Sequence, residues 1–125
     1  MARFGLLILN KGKWETNVIL NENYFTQATS TSQNINLSYG HLWWLNGKSS
    51  YHLPQIQLQF NGNLMPTAPV DMFMTLGKND QNINFIPSKK MVVIRMGAAA
   101  NPDNPTFVLS DFDTVLWQKI SALFP

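Results

Sequence analysis

Between Met72 and Gly97 three β-forming runs follow one another with only short polar interruptions, and this stretch restricts the fold more than any other. Met72-Phe73-Met74-Thr75-Leu76-Gly77 is a near-continuous apolar run, Gln81-Asn82-Ile83-Asn84-Phe85-Ile86 alternates with period two, and Met91-Val92-Val93-Ile94-Arg95-Met96-Gly97 is rich in β-branched residues. Pro87-Ser88-Lys89-Lys90 supplies turn chemistry between the last two. Three tandem strands make a meander, and a sheet this apolar must be covered. A cover lies downstream. After a polar, proline-bearing loop over residues 98–106, Ser110 opens a helix with Asp113 at its third position, close to a capping box. Leu109, Phe112, Leu116, Ile120 and Leu123 then recur every three or four residues, with Asp111, Gln118 and Lys119 on the other side.

Upstream, residues 1–10 read as a buried helix stopped by Gly12, although a short apolar run of this kind fits a strand as well. Asn21 can cap a second short helix that runs through Ala28. Residues 29–34 are a polar loop. They lead into Ser38-Tyr39-Gly40-His41-Leu42-Trp43-Trp44-Leu45-Asn46-Gly47, which reads as an aromatic strand ending in an Asn-Gly turn, with His41, Tyr39 and Trp43 on one face and Trp44 on the other. Core packing is the expected use of both tryptophans. Residues 48–70 carry Pro54, Pro66, Pro69 and Gly62 and read as an elaborated loop without long regular elements. The whole, residues 1–125, is expected to be a single α+β domain, an antiparallel β-sheet flanked by N- and C-terminal helices.

Composition narrows the function. With 45% apolar and 13% charged residues, a 125-residue chain can build one core. The net charge of +2 is spread without runs of like sign, which argues against a nucleic-acid partner. There is no cysteine, so disulfides, thiolate metal sites and cysteine nucleophiles are excluded. His41 and His52 stand outside any metal-ligand spacing, so neither a metal nor another cofactor is implied. The opening residues resemble a leader, but their six-residue apolar run is short and is followed by Asn10-Lys11-Gly12-Lys13 instead of small residues. No export signal and no membrane span are legible. Lys89 and Lys90 read as turn residues that discourage edge pairing. Asp111 and Asp113 fit the positive end of the last helix better than catalysis.

The order of these pieces resembles the C-terminal part of serine β-lactamase-like hydrolases, the family of class C β-lactamases, penicillin-binding proteins and related esterases. The resemblance rests on the helix at Ala2-Arg3-Phe4-Gly5-Leu6-Leu7, the aromatic strand Tyr39-Gly40-His41-Leu42-Trp43-Trp44-Leu45, and Leu76-Gly77-Lys78-Asn79-Asp80-Gln81 ahead of the hairpin from Ile83 to Met96, with the last helix closing the set. It covers nearly the whole chain and implies a partial β-lactamase/transpeptidase-like fold. In that family a Ser-x-x-Lys nucleophile, a Tyr-x-Asn element and a Lys-Thr-Gly or His-Gly-Gly strand converge on the substrate. No serine here has lysine three residues later, and Tyr24, Tyr39 and Tyr51 are followed two positions on by Thr26, His41 and Leu53. Only the third element has a counterpart, at Thr75-Leu76-Gly77.

The resemblance therefore implies substrate-binding roles for Thr75 and Gly77 and, for the Lys78 backbone N–H, the role of one oxyanion donor. Such a donor contributes about 10² to 10³ in rate when a nucleophile stands opposite. Thr75 occupies the place of the family's basic residue, which weakens the case for binding a substrate carboxylate. The expected function is acyl-serine hydrolysis of an ester, amide or β-lactam in a complete protein, with this chain inert alone. Its partner would be the missing N-terminal part or a separate chain, and Met1 falls at an internal position of the family's helix. Complete family members work in the periplasm or outside the cell. The alternative is a non-catalytic binding module that keeps the sheet and exposes apolar surface on the first helix and at Thr75.

Overall fold

The computed structural model describes residues 1–103 and 109–124. The first helix, α1 (Ala2–Leu9), is followed by a two-residue hairpin, β1 (Lys13–Trp14) and β2 (Asn17–Val18), and by α2 (Glu22–Ala28). Next come β3 (Trp44–Leu45) and a small hairpin of β4 (Ser50–His52) and β5 (Gln59–Asn61). The meander β6 (Phe73–Leu76), β7 (Asn82–Ile86) and β8 (Met91–Arg95) leads to the last helix, α3 (Asp111–Leu123). The class is α+β. Strands β3, β6, β7 and β8 form one antiparallel sheet in that spatial order.

Period-two alternation sorts each strand between two cores. Phe73 of β6, Ile83 and Phe85 of β7 and Leu45 of β3 join Ile8 of α1 and Phe25 of α2, with Val92 and Ile94 at the margin. Phe73 and Phe85 stack at 5.0 Å, and Trp43 meets both rings edge-on at 5.4 Å. Pairs of this geometry add about 0.5–1.5 kcal/mol each beyond burial. On the opposite face Met72, Met74 and Ile86 pack with Leu64, Met65, Ala68 and Trp117 of α3, joined by Trp44. Helices from both ends of the chain thus cover the sheet, and the two tryptophans fall on opposite faces, each half-buried.

Local chemistry explains the boundaries. Asn21 caps α2 by accepting from the N–H of Asn23 at 2.8 Å and of Tyr24 at 3.4 Å. In the turn between β7 and β8, Pro87–Lys89 form a 3₁₀ turn, Lys90 takes the left-handed conformation, and Asp71 accepts from both the N–H and hydroxyl of Ser88. Buried Asn46 ties the irregular segment to the sheet: its amide donates to the carbonyls of Met65 and Pro69, both at 3.0 Å, while its oxygen accepts from the Met65 N–H at 2.9 Å.

Three expectations are corrected. The aromatic strand is broken: the Gly40 N–H donates to the Trp43 carbonyl at 2.8 Å and Leu42 has a φ of 70°, so a tight turn leaves β3 only two residues and removes His41 from any face shared with Tyr39 and Trp43. A Cβ on Gly40 would lie 2.2 Å from the Ala28 carbonyl oxygen, so the end of α2 presses on this turn and glycine alone fits. Helix α1 buries only Gly5 and Ile8, with Phe4 and Leu6 largely exposed, so it lies on the sheet instead of inside the protein. The buried face of α3 centres on Asp113 and Trp117, while Phe112 and Leu123 of the expected stripe are exposed. The loop expected over residues 98–106 lies outside the described residues from 104 onward. The hairpins β1–β2 and β4–β5 are short additions that propensity did not single out.

Candidate functional site

Strand β6 lies between β3 and β7, but its two neighbours are unequal. All four of its residues, Phe73 to Leu76, pair with β7, whereas β3 pairs only with Met74 and Phe73. Continued register would set residues 43 and 42 opposite 75 and 76. The turn at Gly40 and Leu42 carries the chain away before that point. Thr75 and Leu76 therefore have no partner in β3, and the end of β6 forms a rim open on that side.

Past Leu76 the chain turns into β7. The Gly77 N–H donates to the Gln81 carbonyl at 2.8 Å, and the Gln81 N–H returns to the Lys78 carbonyl at 3.4 Å. Asn79 and Asp80 between them have φ of 60° and 59°, the pattern of a type I′ hairpin turn, which Asn and Asp tolerate. This pairing leaves the Lys78 N–H without a hydrogen-bond partner among the described residues, at an exposed position beside exposed Gly77. An open depression of about 210 Å³ lies alongside, lined by Met1, Thr75, Gly77, Gln81, Ile83 and Met96. A Cβ built on Gly77 would meet only Gln81, at 3.1 Å from its carbonyl oxygen, so this glycine is not wedged against the core.

Of the three residues singled out by sequence, Gly77 lines this opening, and Lys78 follows it in the turn without lining the depression itself. Thr75 lines it too, but its hydroxyl oxygen accepts from the Ile83 N–H at 3.2 Å and is partly committed to the sheet. His41 is exposed on the loop and His52 half-buried in β4, and no group of three or more His, Cys, Asp or Glu that could hold a metal occurs among the described residues.

Sequence reasoning missed a buried polar column behind the rim. Asn84 donates to the Asn82 oxygen at 2.8 Å, and Asn82 donates to the Asp113 carboxylate at 2.8 Å and to the Asp80 carbonyl at 3.3 Å. Asp113 also accepts from the Ser110 N–H at 3.3 Å, the returning arm of a capping box. Burial pushes the Asp113 carboxyl above its ordinary 3.8; the Ser110 N–H and the Asn82 amide pull it down, nearby Asp80 adds to the rise, and Arg95 opposes it. Asp80, itself buried, accepts from the Ala100 N–H at 2.8 Å. Arg95 donates to the carbonyls of Asn79 at 2.9 Å and Ala98 at 2.6 Å and lies 5.3 Å from the Phe112 ring centre. The turn bearing Lys78 is thus braced from the α3 side by amides, carboxylates and a guanidinium. The available signal was the pair of asparagines at alternate positions of a strand with apolar neighbours.

No family model matches the chain, and comparison with curated proteins and with solved structures found no match.

Proposed function

We propose that this chain is the C-terminal lobe of a serine β-lactamase-like hydrolase, and that residues 75–78 form one wall of its acyl-transfer cleft. The supporting observation is the Lys78 N–H, without a hydrogen-bond partner among the described residues, in an exposed residue that follows Gly77 at the end of a half-open strand. A backbone donor fixed by a hairpin turn is preorganised to meet negative charge on a tetrahedral intermediate, and being unpaired it needs no bond broken first. The open side of β6, where β3 stops short, leaves room for a substrate and an opposing lobe. In the finer fold assignment the meander and its two helical covers are the partial β-lactamase/transpeptidase-like fold.

The nucleophile comes from elsewhere in this reading. A serine on the opposing lobe would attack the carbonyl carbon, its proton passing to a neighbouring base. The carbonyl oxygen would gain negative charge facing Lys78, and collapse would expel the leaving group to give the acyl-serine, which water then hydrolyses. Thr75 contributes a hydroxyl but no cation, which favours neutral esters or amides over substrates held by a carboxylate.

The decisive experiment has two arms. The coding DNA upstream of Met1 is expected to continue in frame into Ser-x-x-Lys and Tyr-x-Asn, and a fluorophosphonate is expected to label that upstream serine and no serine of residues 1–125. An upstream frame without Ser-x-x-Lys, with no labelled partner chain accompanying the protein, would sink the proposal.

The second reading, an interaction module without chemistry, is favoured by one observation: Met1, Phe4 and Leu6 of the α1 region remain exposed at 65%, 41% and 49%. It calls for partner binding at α1 with no labelled serine anywhere in the complex.

A further inference from the structure

We infer that Leu42 determines specificity at the rim of β6, selecting neutral esters whose scissile group carries an extended apolar chain. The inference rests on the hydrolase reading above and concerns the same site. It starts from a conformation that residue type argues against. Leu42 has a φ of 70°, in the left-handed region where the Cβ of an L-residue crowds the following carbonyl. Among the described residues the other non-glycine positions with positive φ are Lys11, Glu15, Gln55, Asn79, Asp80 and Lys90, all polar. Leu42 is also 80% exposed, so burial of its side chain within this lobe does not offset the strain.

The surroundings hold the turn in place. Tyr39 bridges Trp44, and the Leu45 N–H donates to the Ser38 carbonyl at 2.9 Å, so residues 38–45 form a hairpin with His41 and Leu42 at its tip. The His41 N–H donates to the Ala28 carbonyl at 2.9 Å, and the Ser32 hydroxyl donates to the carbonyls of Tyr39 and Gly40, both at 3.1 Å. Tyr39 and Trp44 pack edge-on at 4.9 Å. Strain over-determined in this way clusters where a ligand is gripped.

Register places the tip. Trp44 lies opposite Met74 and Leu45 opposite Phe73, so the hairpin end stands level with Thr75 and Leu76, on the side of β6 that β3 leaves unpaired. With strands about 5 Å apart, the tip is within roughly 10 Å of the rim. An ester whose carbonyl oxygen meets the Lys78 N–H can extend one substituent past Thr75 toward Leu42. There Leu42 also lines an open depression of about 410 Å³ with Tyr39 and His41. Leu42, Tyr39 and Thr75 bring apolar surface and hydroxyls but no formal charge, so an uncharged chain fits better than an ionic group.

The test uses the complete protein, this chain with the lobe that bears the serine, and two series of probes: p-nitrophenyl esters from acetate to octanoate, and acetates of alcohols from ethanol to octanol. The value of kcat/KM is expected to rise with chain length in one series, which identifies the side of the scissile bond that Leu42 touches. Asparagine tolerates the left-handed conformation, so L42N should fold at least as well as the parent while lowering the long-to-short ratio of kcat/KM about three- to tenfold. L42M restores a flexible apolar side chain and should return the ratio to within about twofold of the parent. A flat response in both series, an unchanged ratio in L42N, or an equal loss on short and long esters would overturn the inference and leave the hydrolase reading standing. No hydrolysis of any ester by the complete protein would remove both.

Discussion

The two faces of β7 are buried to the same depth and built from opposite chemistry. Ile83 and Phe85 enter an aromatic core under α1 and α2, where contact is non-directional and stability comes from area and fit. Asn82 and Asn84, one residue out of phase, enter a polar column under α3, where each amide must find a partner. All five residues of β7 are buried, so alternation in the sequence marks two interiors here and not an inside and an outside. The aromatic face holds the sheet together. The polar face fixes where α3 begins and how the turn bearing Lys78 is held.

Breaking the aromatic side should cost most. Phe85→Ala removes a side chain with no exposed surface that touches Phe73 and Trp43, and is expected to lower unfolding free energy by roughly 3–5 kcal/mol in urea melts, with little dependence on pH. Asp113→Ala on the polar side removes the cap contact to Ser110 and leaves the buried Asn82 amide with only its longer bond to the Asp80 carbonyl, a loss of about 2–3 kcal/mol by the same melts.

Asp113→Asn separates charge from shape. The raised pKa of Asp113 means that the folded state holds its proton more tightly than the unfolded chain does. The stabilisation from that bound proton is complete below the ordinary 3.8 and is lost as pH rises through the higher folded-state value. The parent protein should therefore lose stability over that window relative to the asparagine variant, which has no carboxyl to ionise. Parallel pH profiles for the two proteins would contradict the assignment. The smallest effect belongs to Gly77→Ala: with no positive φ and only Gln81 within reach of the new methyl, it should change stability by less than about 0.5 kcal/mol while narrowing the depression beside Lys78.

Much of this fold was legible in the sequence wherever local chemistry decides. Asn21 marks the start of α2, Pro87 to Lys90 the β7–β8 turn, and Ser110 with Asp113 the start of α3. The failures share one cause, tertiary context. Tyr39 to Leu45 has strand composition throughout, yet pressure from the Ala28 carbonyl on Gly40 makes a turn there. The α3 stripe was drawn through apolar residues, while buried Asn82 draws an aspartate to the centre of the real contact face. The candidate rim at residues 75–78 was located only through a family resemblance. Its openness depends on where β3 stops, a consequence of that same unread turn.

Amide hydrogen exchange at Lys78 in the isolated chain tests the cleft wall most directly. The Gly77 N–H, bonded to Gln81, should be protected, and the Lys78 N–H next to it should exchange at close to the rate of an unstructured peptide. A Lys78 amide protected as strongly as that of Gly77 would mean that its hydrogen already has an acceptor, and residues 75–78 could not then offer a free donor to a reacting carbonyl.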